Sequence, residues 1–181
     1  MASTTIPKVN ITSQDEYIIK PIKDFYKKGE NLKILEDILV QNDTNISLRI
    51  LDYFPNNYAR DRNIIINNVH IYSDYKNILK GYTQKNFDPF CRGQCIKLYK
   101  DNLEHKFCDT NDKNQKVTDE YIVTTIRQLN FFKWCIDRKV IDYISDHLDE
   151  IQKSISESSK TDRKKKKCVY KDLSKRSITF D

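Results

Sequence analysis

Four side chains able to bind a soft metal lie within 18 residues: Cys91, Cys95, His105 and Cys108. Zinc would need them in a tetrahedron, with the thiols deprotonated. Their intervals, Cys-x3-Cys-x9-His-x2-Cys, match no zinc class well. Cys95 also stands in the alternating run Cys95-Ile-Lys-Leu-Tyr99, where a strand would turn it into an apolar layer. The expectation is four separate side chains and no cofactor, with a small zinc-stabilised module as an alternative. His105 and Cys108 could in principle pair as base and nucleophile. A catalytic thiol also needs an oxyanion hole, and no motif here supplies one.

Other catalytic signatures do not occur. There is no Walker loop, dinucleotide fingerprint, HExxH or nucleophile elbow, and three glycines cannot build a glycine-rich phosphate cradle. His70, His105 and His147 read as surface or partly buried residues. Asp137, Asp142, Asp146 and Asp149 fall on or near one late helical stretch and read as its solvated face. A non-enzymatic protein with no catalytic residues is expected.

The second kind of chemistry is electrostatic. The chain has 32 basic and 26 acidic residues, a net charge of +6. Residues 160–181 hold nine basic and three acidic groups, which leaves 23 of each in the preceding 159 residues. The whole excess therefore sits at the C-terminal end. A block such as Arg163-Lys164-Lys165-Lys166-Lys167 repels itself and stays solvated unless a polyanion neutralises it. Arg163, Lys164, Lys165, Lys166, Lys167, Lys171, Lys175 and Arg176 are the predicted contacts for nucleic acid or an acidic protein. An anionic surface, nuclear import and plain solubilisation are the competing readings of the same residues.

Composition tempers the lysine count. Ile, Lys, Asn and Tyr make up 73 of 181 residues, as an AT-rich gene would give. Apolar residues make up 38%, enough for a modest core. Five cysteines are too few for a disulfide scaffold, and the odd number fits a reducing compartment. No apolar run approaches the roughly 18 residues of a membrane span, and the first residues do not resemble a signal peptide. The sequons at Asn10, Asn42 and Asn45 then read as chance products of an Asn-rich chain.

The elements that must position these groups can be read from periodicity. Residues 1–12 read as an extended segment. Ser13-Gln-Asp-Glu16 is a capping-box pattern opening a short helix that Pro21 interrupts, and Gly29 is a stop. Leu32, Leu35, Ile38 and Leu39 predict a second helix. Residues 42–45 form a turn cluster that caps a third, over Ile46 to Tyr58, with Pro55 as kink or end. Residues 63–72 read as strands around a turn at Asn67-Asn68. Tyr75 to Tyr82 is helical, Cys95 to Tyr99 a strand, and residues 109–116 a polar loop. The strongest pattern starts at a cap on Thr118 or Asp119 and runs through Ile122, Ile126, Leu129, Phe132 and Ile136. Phe131-Phe132-Lys133-Trp134 would stack bases if exposed, but helical spacing among Ile and Leu favours core packing. After a break at residues 137–139 the pattern resumes to Ile155. That is one long helix or two with a tight corner. A helix-turn-helix is disfavoured because the second helix is acidic. Ser154 to Thr161 reads as a Ser-rich linker.

Together these predict a mainly helical α+β single domain with a small β element. Its parts are an N-terminal segment (1–12), a compact body (13–158) and a disordered basic tail (159–181). Three stretches carry a resemblance: Ser47-Leu-Arg-Ile-Leu-Asp-Tyr-Phe-Pro-Asn-Asn-Tyr58, Tyr75-Lys-Asn-Ile-Leu-Lys-Gly-Tyr-Thr-Gln-Lys-Asn-Phe-Asp-Pro-Phe-Cys-Arg92 and Thr124-Thr-Ile-Arg-Gln-Leu-Asn-Phe-Phe-Lys-Trp134. With the closing Ile178-Thr-Phe-Asp181, they resemble a family of small uncharacterised proteins of large nucleocytoplasmic DNA viruses, of the mimivirus kind, over roughly residues 45–181. Arg127 stands where that resemblance leads one to expect a small residue, and Cys95 is also unusual there. The resemblance implies no activity and no functional residues. It implies expression in infected host cytoplasm, with packaging in the virion left open. The leading expectation is a viral protein that binds nucleic acid or a particle component through the basic tail. The rival is a protein–protein adaptor whose neutral body does the binding.

Overall fold

The protein is described by a computed structural model at residues 13–40, 45–82, 87–108 and 115–160. The N-terminal segment, most of the turn cluster and of the polar loop, and the basic run after Lys160 lie outside the described residues.

Helix α1 (Ser13–Tyr26) is longer than expected because it continues through Pro21. Proline removes one helical hydrogen bond, but its ring lies on the exposed side. Ile19, Ile22 and Tyr26 on the other face are buried and offset the loss, each by about 2 kcal/mol. Gly29, at φ +54°, ends the turn before α2 (Asn31–Val40) as expected. Ser47 caps α3 (Leu48–Tyr53), its hydroxyl accepting from the Ile50 N–H. At Pro55 the helical run does not end. It widens into a π-helical turn over Phe54–Tyr58, closed by the Ala59 N–H on the Phe54 carbonyl, and continues as α4 (Ala59–Asp61). A π turn makes room for the proline ring.

Asn67 and Asn68 both have positive φ, as a two-residue hairpin turn requires. They join β1 (Ile65–Ile66) to β2 (Val69–His70) with Ile66 opposite Val69. Helix α5 (Ile71–Tyr82) follows at once and starts four residues earlier than expected.

The main sheet is antiparallel, in the order β4-β3-β6-β5. Its strands are β3 (Cys95–Tyr99), β4 (His105–Phe107), β5 (Lys116–Val117) and β6 (Tyr121–Thr125). Strand β6 corrects an expectation, because no helix begins at Thr118 or Asp119. The β-branched run Ile122-Val-Thr-Thr125 suits a strand and pairs on both sides, with β3 and β5. Thr125 is the actual cap of α6 (Ile126–Asp137), its hydroxyl accepting from the Gln128 N–H.

Helix α6 is the centre of the core. Leu129, Phe131, Phe132 and Cys135 have no exposed surface, and Trp134 is buried with its indole N–H on Asp74. The aromatic run is therefore unavailable to stack bases. Tyr26 donates its hydroxyl to the Leu129 carbonyl at 2.8 Å and ties α1 to this helix. A corner at Lys139, φ +57°, leads into α7 (Val140–Asp146), so the late pattern is two helices rather than one.

A last helix, α8 (148–160), replaces the expected Ser-rich linker. Its serines are compatible with a helix because their hydroxyls fold back onto it: Ser158 donates to the Ser154 carbonyl and Ser159 to that of Ile155, both at 2.9 Å. Tyr53 shares hydrogen bonds with the Ser154 and Ser158 hydroxyls at 3.0 and 2.9 Å, and Arg49 donates to Ser159. The fold is thus mainly helical α+β. Among the described residues no helix is long and apolar enough to cross a membrane.

Candidate functional site

The four metal-ligand candidates divide between the two faces of the sheet. Register places His105 opposite Leu98, a core residue three positions from Cys95. Side chains alternate along a strand, so His105 leaves the face opposite to Cys95. Its ring packs on Phe107. The Cys108 N–H extends the ladder by donating to the Cys95 carbonyl at 3.0 Å, which places Cys108 beside Cys95. Cys91 approaches from the preceding loop, with its sulfur 4.0 Å from that of Cys95. The structure therefore gathers three thiols and separates the imidazole. Burial, then the neighbouring Cys95 and Cys108, push the Cys91 thiol up to about 12. A group held in its neutral form that firmly is a poor nucleophile. Among the described residues no group of three or more His, Cys, Asp or Glu is placed to hold a metal ion.

Asp137, Asp142, Asp146 and Asp149 are exposed, and Lys133 and Lys139 pair with the first two. The predicted polyanion contacts Arg163, Lys164, Lys165, Lys166, Lys167, Lys171, Lys175 and Arg176 lie outside the described residues. Helix α8, which leads to them, is fixed to α3 as described above.

A third place in the molecule has the concavity of a binding site. A cleft of about 450 Å³ opens between three walls. The first is the α3 and π-turn segment, with Asp52 and Asn56. The second is α5, with Tyr75 and Lys76. The third is the loop before β3, with Asp88 and Arg92, closed below by Arg127 from the first turn of α6.

Buried Gln128 positions the loop. Its Nε2 donates to the Pro89 carbonyl at 2.8 Å and to Gln115 Oε1 at 3.2 Å, and its Oε1 accepts from the Thr124 hydroxyl at 2.8 Å. Phe87 anchors the same loop against Tyr75, Phe131 and Trp134. Asp88 folds the loop on itself by accepting the Phe90 N–H, then takes Arg92 in a two-bond fork at 2.8 and 2.9 Å.

The polar wall is joined through Asn56. Its amide donates to the Asp52 carbonyl at 3.1 Å and to the Tyr75 hydroxyl at 3.4 Å, and its oxygen accepts from Lys76 at 3.3 Å. Burial raises the Tyr75 phenol to about 12 despite the Asn56 bond. Burial, then the charge of Asp88, also raises the Asp52 carboxyl.

Arg127 lies over Gly93. A Cβ added there would stand 3.2 Å from both Cζ and a terminal nitrogen of the guanidinium, and Gly93 has φ +109°. Glycine is thus needed twice, for the backbone conformation and for the close approach.

Every residue lining this cleft falls within the three stretches 47–58, 75–92 and 124–134. Reading the sequence for motifs missed the cleft because its members span more than 70 positions and form no local pattern. The three familiar stretches were the available signal, and Arg127, the residue that departs from expectation, forms its floor.

A model described as a family of unknown function (DUF7197) matches residues 3–181. An uncharacterised protein, L507, of Acanthamoeba polyphaga mimivirus is 30% identical over 163 residues, covering 86% of this chain. The chain spans 59% of that relative's length. No solved structure matches.

Proposed function

The chain belongs to the DUF7197 family of unknown function, and on that footing we propose that it works by binding rather than catalysis, engaging a polyanion through residues 160–181. One observation carries this reading. The first 159 residues are electroneutral and the last 22 hold the entire excess of +6. A surface basic patch on the body would spread that excess, whereas a segregated one makes a separate electrostatic handle. Helix α8 supports the reading by holding the base of that handle against α3.

Nucleic acid or an acidic particle component in infected host cytoplasm is the partner this charge fits. Each neutralised phosphate releases a counterion, so affinity should fall steeply with salt. The test compares single- and double-stranded DNA and RNA binding by the full chain and by a chain ending at Ser159, across a salt series. The proposal expects salt-sensitive binding that truncation abolishes. Binding that survives truncation unchanged would replace it with an adaptor whose neutral body makes the contact.

A further inference from the structure

We propose that the cleft walled by Asp52, Lys76 and Arg127 binds a small molecule carrying both an oxyanion, phosphate or carboxylate, and an ammonium group. Its volume of about 450 Å³ is in the range of small-molecule sites, roughly 300–1,000 Å³. What distinguishes it is charge left unspent. Arg92 and Asp88 neutralise each other through their fork. Among the described residues the Arg127 guanidinium has no hydrogen-bond or ion-pair partner, and the Asp52 carboxylate has no hydrogen bond or close ion pair, only the more distant charges of Asp88 and Arg92. Arg127 and Asp52 are both half-buried. A guanidinium lying over Gly93 keeps its N–H edge available, and that edge matches an oxyanion in a two-bond fork. Lys76, held by the amide oxygen of Asn56 and lying over the Tyr72 and Tyr75 rings, has no carboxylate partner among the described residues and adds a second cation. Asp52 on the helical wall offers an acceptor to a ligand cation.

A neighbouring cleft of about 340 Å³ shares Phe87 but has no such remainder. Lys133 is paired with Asp137 there, and Arg138 with Asp74. The hollow lined by Asp146, Asp149 and Glu150 gathers like charges, and among the described residues its lining includes no lysine or arginine.

The test uses the full chain and residue-resolved amide chemical shifts, because the basic C-terminal residues will also attract anions. The probes are O-phosphoethanolamine and β-alanine, which share an ammonium group and differ in the anion, with inorganic phosphate as a third arm. The proposal expects saturable shifts at Asn56, Lys76, Gly93 and Arg127 with at least one zwitterion. Arg127→Met should weaken that binding about tenfold or more. Asp52→Asn should weaken the zwitterions but leave inorganic phosphate unchanged. Absence of cleft shifts with all three probes in the natural chain overturns the inference, whatever the variants do. Equal binding by Arg127→Met also overturns it. The readout is independent of the polyanion reading, since truncation at Ser159 leaves the cleft shifts in place if the inference holds.

Discussion

Gln128 and Pro89, 39 positions apart, are joined by a 2.8 Å hydrogen bond from a side chain with no exposed surface. That bond fastens the loop bearing Asp88 and Arg92 to the start of α6. An amide at this point fills three roles, donating twice and accepting from Thr124.

Replacing Gln128 with Leu keeps the bulk and removes all three roles. The Pro89 carbonyl and the Thr124 hydroxyl are then left without their partner in the interior. Each such group costs about 1–3 kcal/mol. Urea denaturation of Gln128→Leu should show a loss of about 2–4 kcal/mol. The Asp88–Arg92 loop should also become the most rapidly exchanging part of the body in hydrogen exchange.

Two carboxylates should give opposite pH signatures. Burial alone would raise the Asp74 carboxyl, but hydrogen bonds from Arg138 and Trp134 outweigh it and leave it below its ordinary value. A depressed acid contributes stability above its unfolded pKa and loses it as pH falls through the folded pKa. Asp74→Asn should therefore melt lower than the natural chain at pH 7, with the difference shrinking in acid. Asp52 is raised, first by burial, so it costs stability once the pH rises through its unfolded value. Asp52→Asn should melt higher at pH 7 and no differently near pH 3. Thermal melts across pH 3–8 check both.

Thiol reactivity should rank by burial. Burial pushes Cys135 well above the ordinary thiol value, and it raises Cys91 to about 12. Since the thiolate is the reacting form, Cys91 should be alkylated by iodoacetamide roughly a thousandfold more slowly than free cysteine at pH 8. Cys135 should react only on unfolding. Peptide mass spectrometry over a time course measures both.

Local chemistry made several elements legible. Gly29 as a stop and Asn67-Asn68 as a turn follow from backbone freedom that few other residues share. The core helix was visible in the spacing of Leu129, Phe132 and Ile136. Its start was not, because Ile122 fits a helical repeat and a β-branched strand alike, and pairing with β3 decided for the strand. Pro21 and the serines after Ser154 were misread for one reason. Propensity is local, while the burial of Tyr26 and the Tyr53–Ser158 bond come from residues about 100 positions away. The same holds for the cleft. Arg127 acquires its role only when Gly93 lies beneath it, and nothing adjacent in the chain signals that approach.

The clasp between Tyr53 and the serines of α8 joins residues about 100 positions apart in the chain. Because the two ends of that span are pinned together, a tug applied at Lys160 would be passed to α3 as well as along α8.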